Sequence, residues 1–428
     1  MSPYVDFSYF LFLLYPLAIL LVLGLLGRLG PRVILIVSIV FVIVQFIDPL
    51  GTAAQVADGL RQLTFLGAYV VLSLVIVLGF SAFRAHWRNR WVFYLAVAVA
   101  LLPLIVVKVY PLALDHGWLI GPLATLFRST PFGAVNSIGG ANALAPGLVD
   151  TFGFLGISYM TFRTIDAIIV AQDGLIKEAP TFGSVASYLL FLPTISAGPI
   201  DRYRRFTEDA QSGPRSRQKY LRDVEIGIHR VAQGFLYKFI LAYLIYRYAL
   251  QPAANATGML ALLRYTYAYS FYLFFDFAGY SAFAIGVGHF FGIRVPENFD
   301  KPFLSRSFRE VWNRWNITLS WWLRDHVYMR FMMKATRGKW FGGNRQLANY
   351  VGLFLTMGLM GFWHGLYLHY IVYGIYQGFM LVAYDVFGRW NRAKRLIPDG
   401  WLTHGASVFV TFNLFCFGLL IFSGHLFN

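Results

Sequence analysis

Residues 271–331 read FYLFFDFAGYSAFAIGVGHFFGIRVPENFDKPFLSRSFREVWNRWNITLSWWLRDHVYMRF, and beyond a basic, aromatic connector residues 353–370 read LFLTMGLMGFWHGLYLHY. Both ends of this stretch are apolar enough to lie in lipid. Yet it carries Asp276, His289, Asn298, Asn316 and His364. Polar and ionisable groups at membrane depth are costly, so each needs a partner or a task. The rest of the chain reads as a scaffold that holds this stretch in a bilayer.

Composition supports that reading. The chain has 428 residues, 58% apolar and only 13% charged, too apolar for a water-soluble surface and suited to membrane helices. Aromatic residues make up 18%, and amphipathic rings are favoured at lipid–water interfaces. The net charge is +16. Such a balance in a soluble protein would suggest nucleic acid, but here the cations cluster in short loops between apolar runs, which is the cytoplasmic-loop bias. Contact with anionic lipids or an acidic partner stays open. The single cysteine, Cys416, lies in an apolar run and excludes a disulfide framework or a cysteine metal site.

The apolar runs predict an all-α polytopic membrane protein with about ten to eleven spans plus re-entrant and interfacial helices. Tyr9–Leu26, Val33–Ile47, Leu63–Phe83 and Trp91–Val107 form an N-terminal four-span group over residues 1–110. The N-terminus reads as a first membrane helix, since it lacks the charged region and cleavage site of a removed signal. The basic turns GRLGPR (27–32) and RAHWRNR (84–90) then face the cytoplasm, which places the N-terminus outside. A middle group, 111–270, holds an outer loop at Tyr110–Pro146 with a membrane-dipping piece near Trp118–Phe127, and a span at Phe152–Val170. The run YLLFLPTISAGP at Tyr188–Pro199 is too short and too broken by proline to span, and is expected to be re-entrant, allowed only where protein surrounds it. Asp201–Arg222 is basic and expected on the cytoplasmic side, and Ile226–Leu250 crosses outward. A catalytic core, 271–390, contains the helical pair Leu347–Met360 and Leu366–Phe387; Leu402–Phe422, within 402–428, ends the chain outside.

His364 follows a run whose only polar member between Val351 and Trp363 is Thr356, and it stands between Gly361 and Gly365. A neutral imidazole there is suited to act as a general base near neutral pH; a core histidine hydrogen-bonded to a neighbouring helix is the alternative. Trp312, Trp315 and Trp322 are spaced to line one helical face, with Asn316 beside it. The Asn316 amide could orient or polarise a carbonyl, or tie two helices together. Asp276 is expected to pair with an arginine or to hold a loop backbone, and His289 reads as structural. No i, i+4 histidine pair announces a metal site among His289, Asp276 and His364, and no phosphate loop or nucleophile elbow occurs. Val327, Met329, Arg330, Met332, Met333, Lys334 and Arg337 form a basic, methionine-rich face that suits an interfacial helix or an adaptable docking site for an acidic protein.

These motifs together, YLFFDFAGYS through FREVWNRWNITLSWWLRDHVYMR to GFWHG, resemble those of the membrane-bound O-acyltransferases, most specifically over Phe271–Arg389. More narrowly they are similar to the DltB branch, which serves teichoic-acid D-alanylation in Gram-positive bacteria. The resemblance implies a catalytic histidine at His364 and a second polar residue at Asn316, where many bacterial relatives carry histidine. Asparagine there implies orientation of the carbonyl or polarisation of the oxyanion rather than proton transfer. Asp276, His289, Asn298, Trp315 and Ser320 are candidate supporting residues. The family implies no cofactor held by the chain itself: the donor is a D-alanyl thioester on the phosphopantetheine arm of the acidic carrier protein DltC, which the basic face would receive. It implies a teichoic acid acceptor, surrounding membrane lipids, DltD and a small tyrosine-ended peptide (DltX) as relay partners, and the bacterial plasma membrane as the location. Two other functions are compatible with parts of the pattern. One is O-acetylation of an exported polysaccharide, although YMRFMMKATRG stands where those relatives carry an IPLGG-like sequence. The other is a membrane transporter.

Overall fold

The computed structural model describes residues 7–47, 52–86, 90–115, 154, 156–175, 179–212, 216–394, 397–398 and 400–427. Among these the secondary structure is helical, with a single isolated β-bridge between Phe299 and Trp315. Five helices are long and apolar enough to cross a membrane. They are α3 (Ala53–His86), α4 (Arg90–Asp115), α9 (Met259–Phe290), α14 (Leu368–Lys394) and α15 (Trp401–Phe422). α1 (Phe7–Leu25) and α2 (Pro31–Ile47) are shorter apolar helices. The other expected spans correspond to α5 (Ile157–Asp173), to α8, which starts as Arg217–Phe235, and to α13 (Arg345–His364). α4 runs into the segment expected to be an outer loop, and the dipping piece at Trp118–Phe127 lies outside the described residues.

The chain forms two compact units and passes between them within α8 and again around the end of α9. The first unit comprises residues 1–225 and 288–294. Serine and threonine tie its helices where apolar contacts alone would not fix rotation: the Tyr69 hydroxyl on α3 lies 2.8 Å from Thr161 Oγ1 on α5, and Thr164 Oγ1 donates to Ser73 Oγ at 3.0 Å. The segment expected to be re-entrant becomes α6 (Phe182–Leu189) and a 3₁₀ turn at Leu192–Thr194, and it is buried in protein. Its backbone needs partners, because proline and the short helix leave carbonyls unpaired. Arg163, 2% exposed within α5, supplies them. Its guanidinium donates to the carbonyls of Tyr188, Leu189 and Thr194 at 3.0, 2.9 and 2.7 Å. Beside it Asp166 accepts from the Tyr203 amide at 2.7 Å and from Arg202 at 3.0 Å, which anchors the start of α7 (Tyr203–Gln211). Burial pushes the Asp201 carboxyl up, opposed by the Arg205 guanidinium bound to it at 2.6 Å.

The second unit comprises residues 226–287 and 295–428. α8 continues past Phe235 through π-helical stretches at Leu236–Ala242 and Tyr246–Leu250 and ends with Gln251–Ala254. It lies directly against α9: a Cβ on Gly279 would stand 2.8 Å from the Lys238 backbone nitrogen, so only glycine permits this approach. Short helices follow: α10 (Phe308–Arg314), α11 (Ile317–Leu323), a π turn at Arg324–Tyr328, and α12 (Met329–Arg337). α13 and α14 then form a tight hairpin. A Cβ on Gly361 would meet the Tyr370 carbonyl at 2.5 Å, and one on Gly374 the Met357 carbonyl at 2.6 Å. Small residues facing each other let the two backbones nearly touch, which is how helices associate where lipid offers no hydrophobic drive.

Candidate functional site

The spacing of Trp312, Trp315 and Trp322 predicts one helical face, and the structure overturns this. The helix stops at Arg314; Trp315 is extended, and Asn316 adopts the left-handed conformation (φ 44°, ψ 51°) before α11 begins. The cause is a short ladder with the preceding loop. The Asp300 amide donates to the Arg314 carbonyl at 2.9 Å and the Ile317 amide to the Asn298 carbonyl at 3.0 Å, so these backbone groups are spent outside a helix. Asparagine is one of the few residues that tolerate this left-handed geometry.

Asn298, 1% exposed, locks the junction. Its Oδ1 accepts from the Thr318 amide at 3.3 Å and the Thr318 hydroxyl at 2.8 Å, and its Nδ2 donates to Ser281 on α9 at 3.4 Å. Asn316 occupies the N-cap of α11, where an asparagine side chain ordinarily accepts from the first turn. It makes no such cap here; Asn298 caps the helix from another segment instead. The Asn316 amide, 6% exposed, therefore remains uncommitted, with no side-chain hydrogen bond among the described residues. Ser320 closes back onto the Asn316 carbonyl at 3.1 Å. Trp315 packs in an aromatic cluster, its ring 5.2 Å from both Phe299 and Phe415. Among the expected supporting residues, Asn298, Trp315 and Ser320 thus converge on the backbone that presents Asn316.

His364 is the last residue of α13, and its C-terminal position comes from the Gly365 break after it. Aromatic rings enclose the imidazole: Trp363 at 4.6 Å, Phe422 edge-on at 4.9 Å, Tyr370 at 5.9 Å and Tyr373 at 6.3 Å. α15 bridges the two poles of the site. Its Phe415 meets Trp315 and its Phe422 meets His364. Seven residues of helix separate these contacts by about 10 Å.

The remaining candidates have other partners. Asp276 pairs with Lys238 across the α8–α9 contact, rather than with an arginine or a loop. His289 lies in the first unit, its Nδ1 3.5 Å from Asp223, and His364 belongs to the second. α12 carries Met329, Met333, Lys334 and Arg337 exposed, Arg330 and Met332 half-buried, and only Ala335 buried; Val327 precedes it in the π turn. No group of three or more histidine, cysteine, aspartate or glutamate side chains among the described residues could hold a metal ion. Sequence reasoning passed over Arg163 and Gln377, buried polar residues inside apolar runs; their isolation in such runs was the available signal.

Comparison with known proteins places the chain in a family. Residues 170–426 match the model of the membrane-bound O-acyltransferase family. The chain is 38% identical over 385 residues to the teichoic acid D-alanyltransferase of Bacillus subtilis (strain 168), covering 90% of each chain. It is likewise 38% identical over 409 residues to that of Streptococcus thermophilus, covering 91% of this chain and 87% of the relative. Against the probable alginate O-acetylase AlgI of Pseudomonas aeruginosa the identity is 34% over 276 residues, 63% of this chain and 48% of the relative. With its apolar helices and its similarity along most of its length to acyltransferases, this multi-pass membrane protein is an O-acyltransferase and belongs to the membrane-bound O-acyltransferase family.

Proposed function

We propose that this protein takes D-alanine from the phosphopantetheine thioester of a DltC-type carrier protein and passes it on for esterification of teichoic acid in the cell envelope. The observation that carries the reading is similarity along nine-tenths of the chain to teichoic acid D-alanyltransferases, with an Asn316 amide left free to act. His364 takes the proton of the acceptor hydroxyl as its oxygen attacks the thioester carbonyl. The helix C-terminus beside His364 carries partial negative charge, which favours the imidazolium so formed. Asn316 donates its amide proton to the developing oxyanion. The tetrahedral intermediate collapses, the C–S bond breaks, and His364 returns the proton to the leaving thiolate.

The basic, methionine-rich surface of α12 (Met329, Met333, Lys334 and Arg337 exposed, Arg330 and Met332 half-buried, with half-buried Val327 before it) supports docking of an acidic carrier. DltD and a DltX-type peptide are the relay partners in this reading. The chain itself holds no cofactor and lies in the plasma membrane with both termini outside, as the basic loops favour.

The test is the D-alanine ester content of teichoic acid in a strain lacking its own D-alanyltransferase, complemented with wild type or His364→Ala at matched membrane levels. Ester restored by wild type and reduced about 10²–10⁴-fold by the variant is the expected result. Restoration by both would remove His364 from the chemistry. Failure of well-expressed wild type would favour polysaccharide O-acetylation, in line with the shorter similarity to alginate O-acetylases.

A further inference from the structure

Gln377 is fully buried at 0% exposure within α14, a helix of membrane-spanning length. An amide taken from water into such surroundings is costly unless its hydrogen bonds are made. Its Oε1 accepts from the indole Nε1 of Trp312, 7% exposed, at 3.2 Å across 65 residues of sequence. That bond fixes the amide's direction, so Nε2 faces the other way. There it lies 2.8 Å from the position of a Cβ on Gly418 of α15 and has no well-formed hydrogen bond. One turn earlier on α14, Tyr373 is 2% exposed and sits against both His364 and Phe422.

Trp312 belongs to α10, which ends at the Trp315–Asn316 junction. The same face of α10 meets α14 through Phe308 and Tyr376, their rings 6.3 Å apart. Gly418 lies midway between Phe415, which meets Trp315, and Phe422, which meets His364. The Trp312–Gln377 bond is thus placed between the two poles of the site, and joins the helix that delivers Asn316 to the helix that backs His364.

We infer that Gln377, through Trp312 and Tyr373, is a positioning residue that sets the separation of His364 and Asn316. This rests on the acyl-transfer roles proposed above for those two residues. A misplacement of reacting groups by about 1 Å typically costs on the order of 10²-fold in rate.

The experiment compares purified, detergent-solubilised Gln377→Met, Gln377→Glu and Trp312→Phe with wild type, scored per folded monodisperse protein. Gln377→Met keeps the volume and removes the acceptor. Trp312→Phe removes the donor from the other side. Gln377→Glu keeps a side-chain oxygen as acceptor for the Trp312 indole at nearly the same volume. Expected are kcat losses of about 10–100-fold for the Met and Phe variants with KM for the acyl donor unchanged, no further loss in their double variant, and rescue by Glu. A second readout needs no substrate: the rate at which diethyl pyrocarbonate modifies His364, followed by peptide mass spectrometry, shifts in the Met and Phe variants and returns in Glu. Wild-type kcat and an unchanged His364 modification rate in Gln377→Met, or losses that multiply in the double variant, would overturn the inference. If wild type transfers no D-alanine, the substrate reading fails, and the His364 modification rate still decides the role of Gln377.

Discussion

Replacing Asn298 by alanine strips the cap of α11 without touching a residue assigned to chemistry. In the native protein one oxygen of Asn298 serves two donors, the Thr318 amide at 3.3 Å and the Thr318 hydroxyl at 2.8 Å, in a site where Thr318 is 5% exposed. Loss of an N-cap alone costs about 1 kcal/mol. The hydroxyl can rotate towards another acceptor, but the amide proton cannot, and a buried donor left unpaired costs about 1–3 kcal/mol. That amide is the capped group, so both figures describe one loss, and the expected destabilisation of the Asn298–Thr318 junction is about 1–3 kcal/mol. Each 1.4 kcal/mol is tenfold, so backbone amides over residues 296–320 should exchange roughly 5–140-fold faster where local opening governs exchange. Asn298→Asp, which retains the acceptor, should change exchange by less than about tenfold. The assay is hydrogen–deuterium exchange with mass spectrometry on detergent-solubilised protein. Unchanged exchange in this segment for Asn298→Ala would refute the cap, and with it the explanation of why the Asn316 amide is uncommitted.

Asn316→Gly retains access to the left-handed backbone and deletes only the amide, so the protein should remain folded while kcat falls about 10²–10³-fold. Asn316→Leu should in addition lose about 1–2 kcal/mol of stability from its strained φ, measured as a lowered melting temperature. Lys238→Met should destabilise by about 1–2 kcal/mol, between the limits for exposed and buried pairs because Asp276 is about one-third exposed, and adding Asp276→Asn should recover part of the loss in thermal unfolding. Combining Arg330→Glu with Lys334→Glu should raise KM for a carrier-bound donor and leave transfer from a small thioester unchanged; equal KM values would exclude α12 as the docking face.

The aromatic box around His364 is made by the α13–α14 hairpin together with Phe422 of α15; Gly361 and Gly374 of the hairpin were visible in the sequence, but their mutual contact was not. The helical character of most elements, the family motifs and the position of His364 at the end of an apolar run were legible, because hydropathy and residue spacing are local properties. The interruption at Trp315–Asn316 was not legible, since tryptophans three and seven apart continue a helical pattern and the strand-like pairing that breaks it comes from Asn298–Asp300.

The sequence by itself determined that this chain is a helical membrane protein with costly polar groups at depth, and which residue types could carry acyl transfer. Tertiary structure alone decided what each polar group is for. Asp276 finds Lys238, 38 residues away; Arg163 satisfies carbonyls 25 to 31 residues on; Asn298 caps a helix begun 19 residues later, and Gln377 meets Trp312. The reason is physical: periodicity records which face a side chain takes, whereas a buried hydrogen bond depends on which distant segment is brought to that face. Asn316 has its amide free only because another asparagine performs the capping it would otherwise do itself.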